Sequence, residues 1–269
     1  MEPVAEKNSP IKKGTVADKV RYLLGHVRTY PIYVIGTGRS GTHWLGYSLK
    51  DHPEIRATIE QEPMFGLSTR MALNPALEES LFPRLVRAYK KQLFKSAPRL
   101  YLDKSHPNIW LAERLKEAFP EARFIGIERD PYATVASMLK HKGVSAWHAR
   151  WREFPVPNRF LGITPEMAQY YDTLPLPAQC AFRWRAHHQR MTELQSTLGE
   201  DLLVISFETF VQETDRVLAT LNQFLGLKSP LRKPEVKTET LHKWENQLSD
   251  EALQQIEDTV GFGPTPVTR

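Results

Sequence analysis

Short apolar runs alternate with amphipathic segments along most of the chain. Four apolar runs have the length of buried strands, and each is followed by a segment whose apolar residues recur at helical spacing. The predicted strands are residues 32–35, 99–105, 122–130 and 201–210, and the helices that follow them are residues 41–49, 107–119, 131–141 and 214–225. Strands that alternate with helices predict an α/β fold in three layers, with a central parallel sheet flanked by helices. Ligands of such sheets bind at the carboxyl ends of the strands.

Four further segments complete the predicted organisation. In chain order they are a flexible arm (residues 1–15), an amphipathic helix (16–30), a short strand (57–59) and an insertion (about 144–178). The apolar face of the helix holds Val20, Leu23, Leu24 and Val27. The insertion is rich in aromatic residues, arginine and proline, and its length predicts a segment that covers a site. We expect residues 16–269 to form a single domain.

Composition narrows the class of protein. The chain has 269 residues, of which 41% are hydrophobic, and a formal net charge of +5. It has one cysteine and neither an apolar run of about 20 residues nor a hydrophobic signal segment at the N-terminus. We therefore expect a cytoplasmic protein without an integral membrane segment. No tract of lysine and arginine indicates a nucleic-acid partner, and the oligomeric state is not readable from the sequence.

A glycine-rich loop follows the first predicted strand. The stretch GTGRSGTHW has the Gly36-x-x-x-x-Gly41 spacing of a Walker A loop, but Thr42 stands where that loop has its lysine. Such a turn directs backbone N–H groups and a helix N-terminus at an anion, and Arg39 adds a fork of donors suited to phosphate oxygens. The candidate anion-binding residues of the loop are Gly38, Arg39, Ser40, Gly41, Thr42 and His43.

This loop and a second motif resemble sulfotransferases that use 3′-phosphoadenosine 5′-phosphosulfate (PAPS). The family has a [K/R]-S-G-T-x-W stretch, and this chain has RSGTHW. The family also has a strand followed by an arginine and, eight residues on, a serine; here FIGIERDPYATVASML supplies Arg129 and Ser137. Weaker similarities are LLVISFETF and LHKWENQLS. The resemblance extends from residue 32 to about residue 256.

The resemblance implies a P-loop-NTPase-like sulfotransferase fold and transfer of a sulfuryl group from PAPS to a hydroxyl group. The acceptor is a sugar, a lipid or a small metabolite, and the product is adenosine 3′,5′-bisphosphate. By the same resemblance the loop holds the 5′-phosphosulfate, Arg129 and Ser137 hold the 3′-phosphate, and Trp44 and Phe207 flank the adenine. Arg39 then stabilises the charge on the leaving phosphate oxygen, so that neither a Walker lysine nor a metal is expected.

The sequence leaves the general base open among three candidates. Glu62, in IEQEPMFG, is similar to a glutamate of carbohydrate sulfotransferases, and the neighbouring Glu60 is an alternative. His106, in LDKSHPN, resembles the histidine of the phenol and steroid enzymes, and its unperturbed pKa suits the task. Asp103 occupies the place of a glutamate in heparan-type enzymes. Lys104 is common to these comparisons and is expected at the leaving oxygen or the sulfuryl group.

Two other classes of function remain as alternatives. The first is a P-loop kinase or nucleotide hydrolase with a degenerate Walker A loop, in which Asp103 serves as the Walker B carboxylate. The second is a nucleotide-binding module without turnover. The sequence also leaves two interpretations of the aromatic residues in the insertion. They either stack on the acceptor or form a hydrophobic plug. These residues are Trp147, Trp151, Tyr170 and Tyr171.

Overall fold

Five parallel strands form the centre of the molecule. The computed structural model describes residues 15–26 and 29–261, so the predicted arm lies outside the described residues except for Thr15. The strands are β1 (Pro31–Gly36), β2 (Ile55–Ile59), β3 (Leu100–Lys104), β4 (Arg123–Glu128) and β5 (Leu202–Ser206). Their order in the sheet is β2-β3-β1-β4-β5, and every neighbouring pair is parallel. The predicted α/β class with a central parallel sheet is confirmed.

Helices cover both faces of this sheet. In the described part of the chain they are α1 (Val16–Leu23), α2 (Thr42–Lys50), α3 (Met64–Leu73), α4 (Glu78–Ser96), α5 (Ala112–Ala118), α6 (Pro131–Leu139), α7 (Lys142–Ala149), α8 (Leu176–Leu198), α9 (Phe207–Gln212), α10 (Thr214–Leu225) and α11 (Asp250–Val260). All six residues of β1 are buried. Ile32 and Val34 pack in one hydrophobic cluster with Leu45 of α2, whereas Tyr33 and Ile35 pack in the other with Tyr89 of α4.

One predicted strand is too long. The predicted strand 201–210 ends at Ser206, and α9 begins at Phe207. The hydroxyl of Ser206 accepts a hydrogen bond from the backbone N–H of Thr209, which caps the helix. Apolar residues occur on both sides of this boundary, and Ser206 alone separates Ile205 from Phe207, so the pattern gives only a weak sign of where the strand ends. The same prediction correctly placed α10 at Thr214–Leu225.

Three other segments differ from expectation. Residues 60–98, for which no element was predicted, hold α3 and α4, and the predicted helix 107–119 begins as the 3₁₀ turn His106–Trp110. The apolar face predicted for the first helix is exposed at Val20, Leu23 and Leu24, and α1 ends at Leu23. Val27 lies outside the described residues.

The segment 144–178 contributes to the core rather than standing apart from it. It runs from α7 through short 3₁₀ turns to the start of α8. Trp151, Phe160 and Tyr171 are buried in the same cluster as the sheet residues Tyr33 and Phe124. These rings fill space within that cluster, and Trp151 and Tyr171 are too deeply buried to stack on a ligand.

The polar segments that follow the strands meet at one edge of the sheet. Because all five strands are parallel, the loop after β1, the ends of β2 and β3, and the starts of α6 and α9 lie on the same side. The chain places β2 and β3 on one side of β1 and β4 and β5 on the other. The glycine-rich loop therefore lies where the strand order reverses, which is the usual ligand position in open α/β sheets.

Candidate active site

The loop after β1 leads into α2 with a free helix N-terminus. Gly41 is the N-cap residue, with a φ of 98° and no side-chain hydrogen bond to the first turn. A Cβ atom at this position would lie 2.5 Å from a ring carbon of Phe207, so the site requires glycine for both conformation and space. Backbone N–H groups of a first turn that no side chain caps are donors for an anion.

A cavity of about 400 Å³ opens beside this loop, and we call it the large cavity. It brings together residues of the loop, α6, α9 and the segment before α11. Its lining comprises Arg39, Gly41, Thr42, His43, Trp44, Arg129, Ser137, Phe207, Val211, Glu235, Lys237 and Thr240. The Nε atom of Arg39 donates a hydrogen bond to Ser137 Oγ at 3.1 Å, so the loop and α6 meet across the cavity.

Arg129 stands at the end of β4 in the wall of the large cavity. Its Nη2 atom donates to the carbonyl oxygen of Thr240 at 3.0 Å, and its guanidinium lies 4.5 Å from the centre of the Phe207 ring. The Nε atom is buried and has no hydrogen-bond partner within the described ranges. Burial lowers the pKa of Arg129, against the opposing charges of Glu208 and Asp130. Arg129 is therefore held in place with donor capacity left for an anion.

Aromatic rings form the apolar part of the large cavity. Trp44, on the first turn of α2, packs against Phe207 at 5.7 Å and Phe210 at 4.5 Å between ring centres. Trp44 and Phe207 both face the cavity. These rings offer a flat apolar surface for a ligand whose charged groups bind at the loop and at Arg129.

Two loop residues differ in detail from the sequence expectation. The hydroxyl of Ser40 is buried and donates to the carbonyl oxygens of Thr37 at 2.7 Å and Ile127 at 3.1 Å. Ser40 therefore braces the loop with its side chain, and it does not line the large cavity. Gly38 lines a second, neighbouring cavity instead.

This second cavity, the small cavity, has a volume of about 200 Å³. It shares Arg39 and His43 with the large cavity. Its lining comprises Gly38, Arg39, His43, Glu60, Phe65, Lys104, His106, His141, Gly143, Val144, Trp147 and Arg183. The two cavities thus lie on either side of the loop arginine.

Glu60 is the centre of a charged cluster in the small cavity. Its Oε1 atom accepts hydrogen bonds from Lys104 Nζ and, at 3.1 Å, from His106 Nδ1. Lys104 Nζ also lies 2.8 Å from Nδ1 of His43. Glu60 has a φ of 47°, and its backbone N–H donates to the carbonyl oxygen of Lys104 at 2.8 Å. This left-handed turn at the end of β2 directs the carboxylate at the end of β3.

The cluster shifts the pKa values of its members. Burial favours the neutral form of Glu60, but the hydrogen bond from His106 and the charge of Lys104 outweigh it and lower the pKa to about 2. Burial lowers the pKa of Lys104 to about 8, against the opposing charge of Glu60. Burial likewise lowers the pKa of His106 to about 3. At neutral pH Glu60 is ionised and His106 is a neutral imidazole.

The hydrogen bond to Glu60 fixes the tautomer of His106. A neutral imidazole that faces an ionised carboxylate through Nδ1 carries its proton there, so Nε2 is left with a lone pair. That Nε2 atom is buried and has no hydrogen-bond partner in the described part of the chain. A Cβ atom on Gly38 would lie 3.2 Å from it, so Nε2 faces the glycine-rich loop. The geometry is that of a histidine base oriented by a carboxylate.

The other two candidate bases lie outside this cluster. Glu62 is exposed, and its carboxylate lies against Gly66 in the first turn of α3. Asp103 is fully buried and accepts hydrogen bonds from Thr58 and Tyr89, each at 2.9 Å. Neighbouring strand residues point to opposite faces, so Asp103 points away from the side of β3 on which Lys104 meets α2. Asp103 lies outside the lining of the small cavity, and its carboxylate is engaged by buried side chains of the core.

Several site residues were missed in the sequence. Arg183 and His187 of α8 belong to a stretch that reads as a polar helix, yet both are fully buried. Lys237 and Thr240 reach the large cavity from a segment without helical or strand periodicity, so only the similarity of LHKWENQLS gave a signal near them. Of the predicted aromatic residues, Trp147 lines the small cavity.

The described residues contain neither a metal-binding cluster nor a membrane-spanning helix. Across residues 15–26 and 29–261, no three histidine, cysteine, aspartate or glutamate side chains cluster in a way that would hold a metal ion. Over the same ranges, the structure has no helix with the length and apolar character needed to span a membrane.

Comparison with known proteins decides the family. The model of the sulfotransferase family matches residues 31–230, which includes the loop, the charged cluster and Arg129. The chain is a member of the sulfotransferase family. This membership favours sulfuryl transfer over the kinase or hydrolase alternative.

Relatives of this sulfotransferase have diverged far in sequence. It is 26% identical to the nodulation protein NoeE of Sinorhizobium fredii, over 85% of this chain and 63% of that protein. The chain thus spans less than two thirds of NoeE. It is 23% identical to a putative protein-tyrosine sulfotransferase of Caenorhabditis briggsae, over 86% of each chain.

A solved structure shows the same fold. The sulfotransferase domain from the curacin biosynthetic pathway superimposes with a TM-score of 0.56 at 16% identity. The alignment covers 88% of this chain and 99% of that domain. At this level of identity the comparison speaks for the architecture, and the roles of individual residues rest on the geometry described above.

Proposed function

We propose that this sulfotransferase takes its sulfuryl group from PAPS and transfers it to a hydroxyl group of an acceptor. One observation carries the proposal: a single cavity is bounded by the helix N-terminus at Gly41 and by Arg129, with the rings of Trp44 and Phe207 in its wall. A nucleotide with phosphate groups on both the 5′ and the 3′ oxygen of its ribose carries two charged groups and one apolar base, which correspond to these three parts of the wall.

The residues of the large cavity fit this donor. The first turn of α2 and Arg39 would hold the 5′-phosphosulfate, and Arg129 and Ser137 would hold the 3′-phosphate. The strongest support for this assignment is the Nε atom of Arg129, which is buried and has no hydrogen-bond partner in the described part of the chain. PAPS, when bound, supplies the sulfuryl group, and adenosine 3′,5′-bisphosphate is the product. Arg39, Lys104 and the helix N-terminus offer positive charge to the leaving oxygen.

The small cavity would receive the acceptor. His106 Nε2 takes the proton from the acceptor hydroxyl, while Glu60 holds the other nitrogen protonated and stabilises the imidazolium that forms. Burial makes His106 a weak base in the structure described, with a pKa of about 3. An anion in the adjoining cavity raises this pKa, because opposite charge favours the protonated imidazole. Since one relative is named a protein-tyrosine sulfotransferase, tyrosine belongs among the acceptors to assay.

A ligand titration tests the donor assignment. Calorimetry should detect adenosine 3′,5′-bisphosphate binding in EDTA, more tightly than ATP binds with Mg²⁺. In Arg129→Ala we expect at least a tenfold loss of affinity for the bisphosphate and little change for adenosine 5′-monophosphate, which lacks the 3′-phosphate. Arg87→Ala, an exposed arginine on α4, is the matched control. Equal losses for both ligands in Arg129→Ala, or a preference for ATP with Mg²⁺, would overturn the assignment.

A further inference from the structure

Arg183 is a cation buried in the wall of the small cavity. Its side chain, in α8, has 0% exposure. Throughout residues 15–26 and 29–261, none of its three guanidinium nitrogen atoms finds a hydrogen-bond partner. Burial lowers the pKa of Arg183 to about 10, and the groups that oppose this shift are Cys180 and Tyr171 rather than a carboxylate. An ionised group in such a place costs free energy unless an acceptor pairs with it.

Aromatic rings compensate this charge in part. The guanidinium lies 4.5 Å from the centre of the Phe160 ring and 5.0 Å from that of Trp147. A π face attracts a cation, but it does not replace oxygen acceptors for the five N–H groups of an arginine. These rings orient the guanidinium and leave its donors available to the cavity.

Arg183 and His106 face the same space. A Cβ atom on Gly38 would lie 3.3 Å from Arg183 Nη2 and 3.2 Å from His106 Nε2. The glycine therefore leaves an opening at which both polar atoms converge. A hydroxyl group next to His106 would place the rest of its molecule within reach of Arg183.

The balance of charge in the small cavity favours an anion. Its cationic lining residues are Arg39, Lys104 and Arg183, and its carboxylate is Glu60. Glu60 is already engaged by Lys104 and by His106. Arg39 faces the large cavity as well, so Arg183 is the cation that the acceptor side holds without a counter-charge.

We propose that the acceptor carries an anionic group besides its hydroxyl, and that Arg183 binds this group. A carboxylate, phosphate or sulfate each offers the oxygen pair that a guanidinium holds with two parallel hydrogen bonds. The inference rests on the proposed function, since the small cavity is the acceptor site when the large cavity holds the donor. Arg183 is then a specificity residue, because it contacts the acceptor and not the donor.

Matched pairs of small alcohols and phenols test this assignment. The pairs are 4-hydroxybenzoate with 4-hydroxybenzamide, glucuronate with glucose, and glycerol 3-phosphate with glycerol. Calorimetry measures the affinity of each compound for the full chain, with and without adenosine 3′,5′-bisphosphate, and PAPS turnover gives kcat/KM. In at least one pair we expect the anionic member to be favoured about tenfold or more.

Variants of Arg183 tie this preference to one side chain. Arg183→Met should abolish the preference, Arg183→Lys should keep part of it, and Arg87→Met should leave it unchanged. Because methionine removes an unpaired buried charge, the melting temperature of Arg183→Met should not fall below that of the wild type. Should methionine prevent folding, the wild-type preference and the lysine variant still decide the question.

Three outcomes would overturn the inference. They are no advantage for the anionic member in any pair, an advantage that persists in Arg183→Met, and an equal loss of turnover for neutral and anionic acceptors. An equal loss of turnover for neutral and anionic acceptors would indicate that Arg183 contacts the sulfuryl group instead of the acceptor. Binding of the pairs without nucleotide separates this test from the donor assignment: failure of the bisphosphate to bind rejects the donor, while loss of the pair difference alone rejects the role of Arg183.

Discussion

Glu60 shows how one residue conformation assembles a site. Its left-handed backbone, with a φ of 47°, turns the chain at the end of β2 and brings the carboxylate to Lys104 and His106. A left-handed non-glycine residue costs about 1–2 kcal/mol. Hydrogen bonds to an ionised group contribute roughly 1.5–3 kcal/mol each, so the contacts of Glu60 offset that cost. Glu62, two residues further, has the same side chain and lies outside the cluster.

The first prediction concerns the base. We expect His106→Ala to lower kcat by about 100-fold or more at saturating PAPS, because it removes the group that accepts the proton. Glu60→Gln should also lower kcat, since glutamine cannot stabilise an imidazolium. Glu62→Gln is the matched control and should stay near wild type. A His106→Ala enzyme within tenfold of the wild type would show that another group takes the proton.

The second prediction concerns stability and pH. The pKa of Glu60 is about 2 in the folded chain, whereas the ordinary pKa of a glutamate is 4.5. A carboxyl with a lowered folded pKa stabilises the fold above the unfolded pKa, and this contribution is lost as the pH falls from about 4.5 to 2. The free energy of unfolding should therefore differ between wild type and Glu60→Gln by roughly 3 kcal/mol at pH 7.

Urea unfolding between pH 7 and pH 3 measures this difference. The gap between wild type and Glu60→Gln should narrow as the pH drops below about 4.5. Glu62→Gln, which changes an exposed carboxylate, should show no such trend. A gap that is constant over the whole range would mean that Glu60 carries no depressed pKa.

At the scale of elements, the turn between β1 and α2 depends on a contact with α9. Gly41 lies against the ring of Phe207, which also supports the guanidinium of Arg129. The loop at one strand end and the cation at the next are thus joined through a single aromatic ring. The Arg39–Ser137 hydrogen bond joins the loop to α6, the helix that follows Arg129 in the chain.

The third prediction compares two glycines to test the coupling between α9 and the loop, meaning that the contact of Phe207 with Gly41 affects nucleotide binding. Gly41→Ala places a Cβ atom 2.5 Å from a ring carbon of Phe207, whereas Gly226, with a φ of 61°, has no heavy atom within 4 Å of its would-be Cβ. Both substitutions carry the conformational cost of a left-handed alanine, about 1–2 kcal/mol. We expect Gly41→Ala alone to weaken adenosine 3′,5′-bisphosphate binding, by at least about tenfold.

Thermal unfolding and calorimetry on the two variants separate these contributions. A larger loss of stability in Gly41→Ala than in Gly226→Ala, together with a nucleotide affinity that falls only in Gly41→Ala, supports the coupling. If Gly41→Ala binds the bisphosphate as the wild type does, the ring of Phe207 moves aside without consequence and the coupling through α9 is absent.

At the scale of the whole molecule, the two cavities are lined by different parts of the chain. The large cavity combines the loop after β1, the end of β4 and parts of α6 and α9 with Lys237 and Thr240 from an irregular segment. The small cavity adds α7 and α8, which bring Trp147 and Arg183 from segments that lie far from the loop in sequence. Under the proposed function, the acceptor side thus draws on elements that the repeated strand–helix pattern does not include.

The sequence by itself determined the alternation of strands and helices and the chemistry of the loop. Buried parallel strands need continuous apolar runs, and a phosphate-binding turn needs glycines at fixed spacing, so both leave local patterns. Arg39 was found in this way, the resemblance to the family's motifs added Arg129, Ser137 and Trp44, and the structure gathers all four around one cavity.

Only the tertiary structure decided the charged cluster and the burial of Arg183. Which of Glu60, Glu62 and Asp103 meets Lys104 depends on a backbone turn and on the face of a strand, and neither changes the residue types in a short window. Arg183 belongs to a stretch of α8 rich in arginine and histidine, and it is buried because Trp147 and Phe160 of segment 144–178 pack against its guanidinium. Long-range packing, rather than local pattern, sets the surroundings of these side chains and hence their pKa values.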